Sequence, residues 1–111
     1  PETENILNVD TLSQLPQGAY VINVARGDHL VEQDLLSLIN NGHLSGACLD
    51  VFRQEPLPPD HPFWSHAKIT VTPHIASLTN PISVAPQIVD NYRRMTTGQP
   101  LLNQVDRPRS Y

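Results

Sequence analysis

Three short apolar runs, the first and third rich in β-branched residues and each halted by turn residues, constrain this chain more than anything else in it. Tyr20-Val21-Ile22-Asn23-Val24 leads into Ala25-Arg26-Gly27, Leu44 to Phe52 leads into a proline-rich stretch, and Ile69-Thr70-Val71-Thr72 stops at Pro73. Runs of this length and composition form strands. The first is apolar almost throughout, which predicts a strand covered on both faces, as in a parallel sheet. Between the first and second runs, Val31 to Ile39 has helical period: Leu35, Leu38 and Ile39 give a 3–4 spacing, and Asn41-Gly42 is a ready C-cap. Strand, helix, strand, stiff connection, strand, helix is the pattern of an α/β layer with a parallel sheet.

The remaining segments fill in around that layer. Asp10 is expected to cap a short helix over Thr11–Leu15, ended by Pro16 and Gly18. Prolines 56, 58, 59 and 62 fix φ repeatedly and stiffen the connection after the second strand, with Phe63 and Trp64 expected as its apolar anchors. Thr79 or Asn80 caps a long helix with Pro81 in its first turn, and Pro86 is expected to bend it. Gly98 ends that helix, and Gln99 to Tyr111 reads as an arm or peripheral strand.

Composition bounds the function. The 111 residues amount to one domain or part of a larger one, with 39% hydrophobic content and no run long enough to span a membrane. A net charge of -4 and the lack of any basic stripe argue against a nucleic-acid surface. The single Cys48, expected buried in mid-strand, excludes an intrachain disulfide framework and suits a reducing compartment, hence a cytoplasmic location. The opening Pro1-Glu2-Thr3-Glu4 has the character of mid-loop, and three strands alone leave an apolar edge, so the chain is expected to be part of a longer polypeptide.

Parallel strands place their C-terminal ends on one rim, with neighbours roughly 5 Å apart, and that rim is where open α/β sheets bind ligands. Arg26, Asp50 and His74 each follow a strand, and Glu55 sits on the stiff connection. A guanidinium is a planar fork suited to a carboxylate, and a histidine backed by a carboxylate suits general acid work. Together they fit a 2-oxoacid: Arg26 clamps the acid, His74 protonates the carbonyl oxygen and Glu55 orients His74. The carbonyl carbon still requires a hydride, which no side chain supplies, so a nicotinamide cofactor is implied. Other readings are weaker. His61, His66 or His74 with Asp60 lacks metal-ligand spacing, Ser65 or Ser77 with His74 lacks a nucleophile elbow, and Cys48 lies within a strand. A non-catalytic α/β interaction module is the principal alternative.

Val21-Ile22-Asn23-Val24-Ala25-Arg26-Gly27, Gly46-Ala47-Cys48-Leu49-Asp50-Val51-Phe52 with Glu55-Pro56-Leu57-Pro58, and Thr72-Pro73-His74-Ile75-Ala76 together resemble the D-isomer-specific 2-hydroxyacid dehydrogenases. His61-Pro62-Phe63-Trp64 and Gln104-Val105-Asp106-Arg107 resemble the glyoxylate/hydroxypyruvate reductase branch. The resemblance implies the C-terminal part of a doubly wound, Rossmann-like parallel sheet, with residues 1–97 in the cofactor-binding domain and 98–111 a tail on the substrate domain. It implies Arg26, Glu55 and His74 as catalytic residues. It also implies cofactor binding by Ala25, Arg26, Asp50, His74 and Ala76, with Asp50 bonding the nicotinamide amide. NAD(P)H as cofactor, a small 2-oxoacid substrate, no metal and a homodimer follow from the same resemblance. The chain departs from the family at Val31, where an acidic residue is usual and Asp28 is expected to cap instead, and at Pro86. It contains no Gly-x-Gly-x-x-Gly phosphate cradle, which in the family lies upstream, so these residues alone are expected to be inactive.

Overall fold

A computed structural model describes residues 2–105, and their contacts divide into two compact units, Thr3–Ala76 and a second made of Glu2 and the chain from Ser77 on. In the first unit, β1 (Ala19–Asn23), β2 (Leu44–Leu49) and β3 (Ile69–Val71) form a parallel sheet in the order β1-β2-β3. Asn23 pairs with Leu49 and Leu49 with Val71, so all three strands end level with one another. That register puts Asp50, on the central strand's exit, between the chain leaving β1 and the chain leaving β3.

Helix α2 (Glu32–Asn40) joins β1 to β2 and buries Leu35, Leu38 and Ile39, the residues its periodicity selects. These pack with Val21, Leu44, Ala47 and Leu49 from one face of the sheet, and Phe52, Leu57 and Phe63 extend the core beneath the proline-rich connection. Gly42, at φ +82°, takes the left-handed position after the helix end. Glu32 and Asp34 fill the first turn with acidic side chains, so the helix has favourable charge at its N-terminus without Asp28, which lies in a separate 3-10 turn over Gly27–His29.

Several expectations need correction. β1 is covered on one face only: Val21 and Asn23 are buried, whereas Tyr20, Ile22 and Val24 are exposed, Ile22 at 64%. An uninterrupted apolar run therefore marks two apolar faces, of which these residues cover one. The first helix, α1, is Val9–Leu12, and its cap is Asn8, whose side chain accepts the Asp10 and Thr11 amides in a capping box. The second strand stops at Leu49 instead of running on to Phe52. Cys48 is only partly buried, on the sheet face opposite Ala47 and Leu49. Phe63 anchors the connection from within the core, but Trp64 is 55% exposed and is fixed by donation from Nε1 to the Pro58 carbonyl, 2.8 Å away.

The second unit contains α3 (Pro81–Thr96), capped by Asn80 and continuous through Pro86. None of its residues is buried among the described ones. The Asn91 side chain bonds both the amide and the carbonyl of Leu102, so the chain beyond Gly98 turns back along the helix and forms no strand up to Val105. The Asp106-Arg107 pair of the tail motif lies outside the described residues. No helix among the described residues is long and apolar enough to cross a membrane.

Candidate active site

The exit of β1 is built around a buried amide. Asn23, 4% exposed, accepts the Ala25 amide at Oδ1 (3.1 Å) and donates from Nδ2 to the Arg26 carbonyl (3.0 Å). One side chain thus closes the turn that presents Arg26. The next residue, Gly27, allows that turn to lie against the second exit: a Cβ there would stand 2.0 Å from the Phe52 carbonyl carbon and oxygen. Arg26 itself is exposed, in ordinary extended backbone, and its Nη1 donates to the Ala25 carbonyl (2.7 Å).

The exit of β3 is built around a buried carboxylate. Asp50, 2% exposed, accepts the Thr72 hydroxyl and the Ile75 amide at Oδ1 and the Ala76 amide at Oδ2, the two amides at 2.9 Å. These bonds, Thr72 foremost, hold the Asp50 carboxyl below its ordinary pKa against the opposing effect of burial. Between Thr72 and Ile75, His74 adopts φ +53°, the left-handed region a non-glycine residue enters at a cost of about 1–3 kcal/mol. Anchors on both sides of it hold that conformation.

Glu55 completes the constellation. Its Oε1 accepts the Phe52 amide (2.9 Å) and its Oε2 lies 2.8 Å from His74 Nδ1. The His74 bond, then the Phe52 bond and the charges of His74 and Arg26 lower the Glu55 pKa, so the carboxylate is ionised and can only accept. Nδ1 therefore carries the proton in this contact and Nε2 faces away from Glu55. The connection bearing Glu55 is itself tied down. Glu32 accepts the Arg53 amide (3.2 Å) and pairs with His61 (3.4 Å), while Arg53 Nε donates to the Leu30 carbonyl (2.8 Å).

The structure thus brings together Glu55 and His74 by a hydrogen bond, Arg26 and Glu55 through their charges, and Asp50 with the His74 loop. Ala25 and Ala76 stand exposed on the same two exits, their amides bonded to Asn23 and Asp50. Asn23, Gly27 and Thr72 do not stand out in the sequence as site residues. An asparagine on the core-facing row of a strand, two residues from Val21, was the available signal. Among the described residues no group of three His, Cys, Asp or Glu side chains could hold a metal ion. Ser65 is bonded to the Pro62 carbonyl (3.4 Å).

Comparison with known proteins gives the family. Residues 1–76 match the family described as D-isomer specific 2-hydroxyacid dehydrogenase, NAD binding domain, ending where the first compact unit ends. The chain belongs to the D-isomer-specific 2-hydroxyacid dehydrogenase family. Over 110 residues it is 47% identical to glyoxylate/hydroxypyruvate reductase A of Klebsiella pneumoniae, a match that covers 99% of this chain and 35% of the relative. The chain therefore spans about a third of that relative's length. A D-isomer specific 2-hydroxyacid dehydrogenase from Xanthobacter autotrophicus Py2, solved with NADPH and MES, superimposes with a TM-score of 0.92 at 49% identity, covering 100% of this chain and 46% of the other. An NADPH-dependent glyoxylate/hydroxypyruvate reductase from Sinorhizobium meliloti, solved with NADP and sulfate, gives 0.86 at 37% identity, covering 100% and 37%. The sheet is accordingly the C-terminal part of a doubly wound, Rossmann-like fold, in the glyoxylate/hydroxypyruvate reductase branch of the family.

Proposed function

We propose that the full-length protein reduces a small 2-oxoacid, glyoxylate or hydroxypyruvate, to the 2-hydroxyacid with NAD(P)H. The observation that carries this reading is the Glu55–His74 pair, 2.8 Å apart on the rim where Arg26 emerges. Arg26 binds the substrate carboxylate as a two-pronged donor. His74, oriented through Nδ1 by Glu55, holds its transferable proton at Nε2 and delivers it to the substrate oxygen as negative charge develops there. The guanidinium beside the carbonyl favours that developing charge.

The residues present fit a nicotinamide. Asp50 Oδ2 accepts one bond where Oδ1 accepts two, which leaves acceptor capacity for a carboxamide, and the exposed backbone of Ala25 and Ala76 flanks it. The cofactor supplies the hydride that no side chain of this chain can. These 111 residues contain no Gly-x-Gly-x-x-Gly phosphate-binding sequence. On this reading residues 1–97 are assigned to the C-terminal portion of the cofactor-binding domain and the tail from 98 on to the substrate domain.

The test is NADPH or NADH oxidation by the full-length protein with glyoxylate, hydroxypyruvate and their decarboxylated aldehydes. Turnover of the acids and not of the aldehydes is expected. Absence of turnover with every 2-oxoacid tried would favour a non-catalytic module. The 111 residues alone are expected to bind NADPH weakly and to reduce neither acid.

A further inference from the structure

We propose that Asn23 is the positioning residue for Arg26, its buried carboxamide fixing the direction in which the guanidinium meets the substrate carboxylate. The inference rests on the reading of Arg26 as the carboxylate clamp. Asn23 lies on the core-facing row of β1, where an apolar side chain would bury more favourably than an amide. Both ends of its carboxamide are instead spent on the next turn, at Ala25 N and Arg26 O. Ala25 then links the amide to the guanidinium: its N–H is held by Asn23, and its carbonyl accepts Arg26 Nη1 at 2.7 Å. Gly27 presses the far side of the turn against Phe52. Arg26 is thus bracketed by backbone constraints on both sides, and only the Asn23 constraint comes from a side chain.

Steady-state kinetics of the full-length protein tests this. Asn23→Ala is expected to raise the KM for the 2-oxoacid roughly 10-fold and the KM for NADPH by less, since misplacement costs most the interaction it misdirects while Ala25 also flanks the nicotinamide. Asn23→Ser, whose hydroxyl can still accept the Ala25 amide, is expected to recover part of that loss. Leu12→Ala, a core substitution in α1, serves as the destabilised control and should lower thermal stability without raising the substrate KM.

The double variant separates the two levels of inference. If Asn23 acts through Arg26, Asn23→Ala adds little to the KM of an Arg26→Ala protein. An equal increase in both backgrounds, or no recovery in Asn23→Ser, overturns the role of Asn23 and leaves Arg26 intact. An unchanged substrate KM in Arg26→Ala overturns the clamp itself.

Discussion

The two strand exits that carry the site solve the same problem with different chemistry. Each must hold an exposed functional side chain in a fixed direction from a loop, and each does so through one buried polar group. The Arg26 turn is held by a neutral amide, Asn23, which both accepts and donates. The His74 loop is held by a carboxylate, Asp50, which accepts from Thr72, Ile75 and Ala76. These are the only buried polar side chains among the described residues, and both serve the rim. The difference suits the groups they carry. A cationic clamp needs no titrating neighbour in its support, whereas a proton donor gains from negative charge, and Asp50 together with Glu55 supplies it.

The sharpest way to separate the two exits is to remove the proton donor while sparing its loop. His74→Asn is the suitable variant, because asparagine tolerates the left-handed backbone at φ +53° better than alanine does. Turnover of the full-length protein is expected to fall about 100-fold or more, with the 2-oxoacid KM nearly unchanged because Arg26 is untouched. A kcat within a few-fold of the parent would remove His74 from the chemistry. At the other exit, Gly27→Ala forces a methyl group against the Phe52 backbone. Backbone yields less than a side chain, so unfolding measurements should show the upper part of the overpacking range, about 1–3 kcal/mol. The kinetic damage should fall on substrate KM, the reverse of the histidine variant.

What sequence could show about the two exits also differed. Arg26 and His74 stand out as charged residues after β-branched runs, and parallel strands put them on one rim without any knowledge of contacts. The Glu55–His74 bond could be anticipated from chemistry, since a stiff proline connection carries one carboxylate toward a histidine. The supports were less legible. In the sequence Asn23 is one more residue of an apolar run, because strand periodicity gives no sign of a bond to a turn two and three residues on. Asp50 stands out for its charge, but its bonds to Thr72 and the 75–76 backbone depend on strand order and register, which the central placement of β2 decides. At Tyr20, Ile22 and Val24 the apolar pattern reports two faces to be covered, and these residues cover one. Trp64, apolar by residue type, stays outside the core because its indole N–H bonds the Pro58 carbonyl.

The subtlest contrast between the exits is their response to acid. Asp50 and Glu55 have pKa values lowered from 3.8 and 4.5 by their hydrogen bonds and, for both, the nearby His74 charge. A carboxylate whose folded pKa lies below its unfolded value contributes stability at pH above the unfolded value, and that contribution disappears as pH falls through the folded one. Acidification below the ordinary carboxylate range should therefore loosen the His74 loop, since protonated Asp50 loses acceptor strength toward Ile75 and Ala76. The Asn23 amide does not titrate, and the Arg26 turn has no such dependence. Hydrogen exchange by NMR, corrected for the intrinsic pH dependence of exchange, reads both exits in one sample. The Ala76 amide is expected to keep its protection from neutral pH down through the ordinary carboxylate range and to lose it only as pH falls below that range, while the Ala25 amide keeps its own until global unfolding. Parallel loss at the two amides would mean that the exits open as one unit, and that the division of labour between amide and carboxylate has no energetic counterpart.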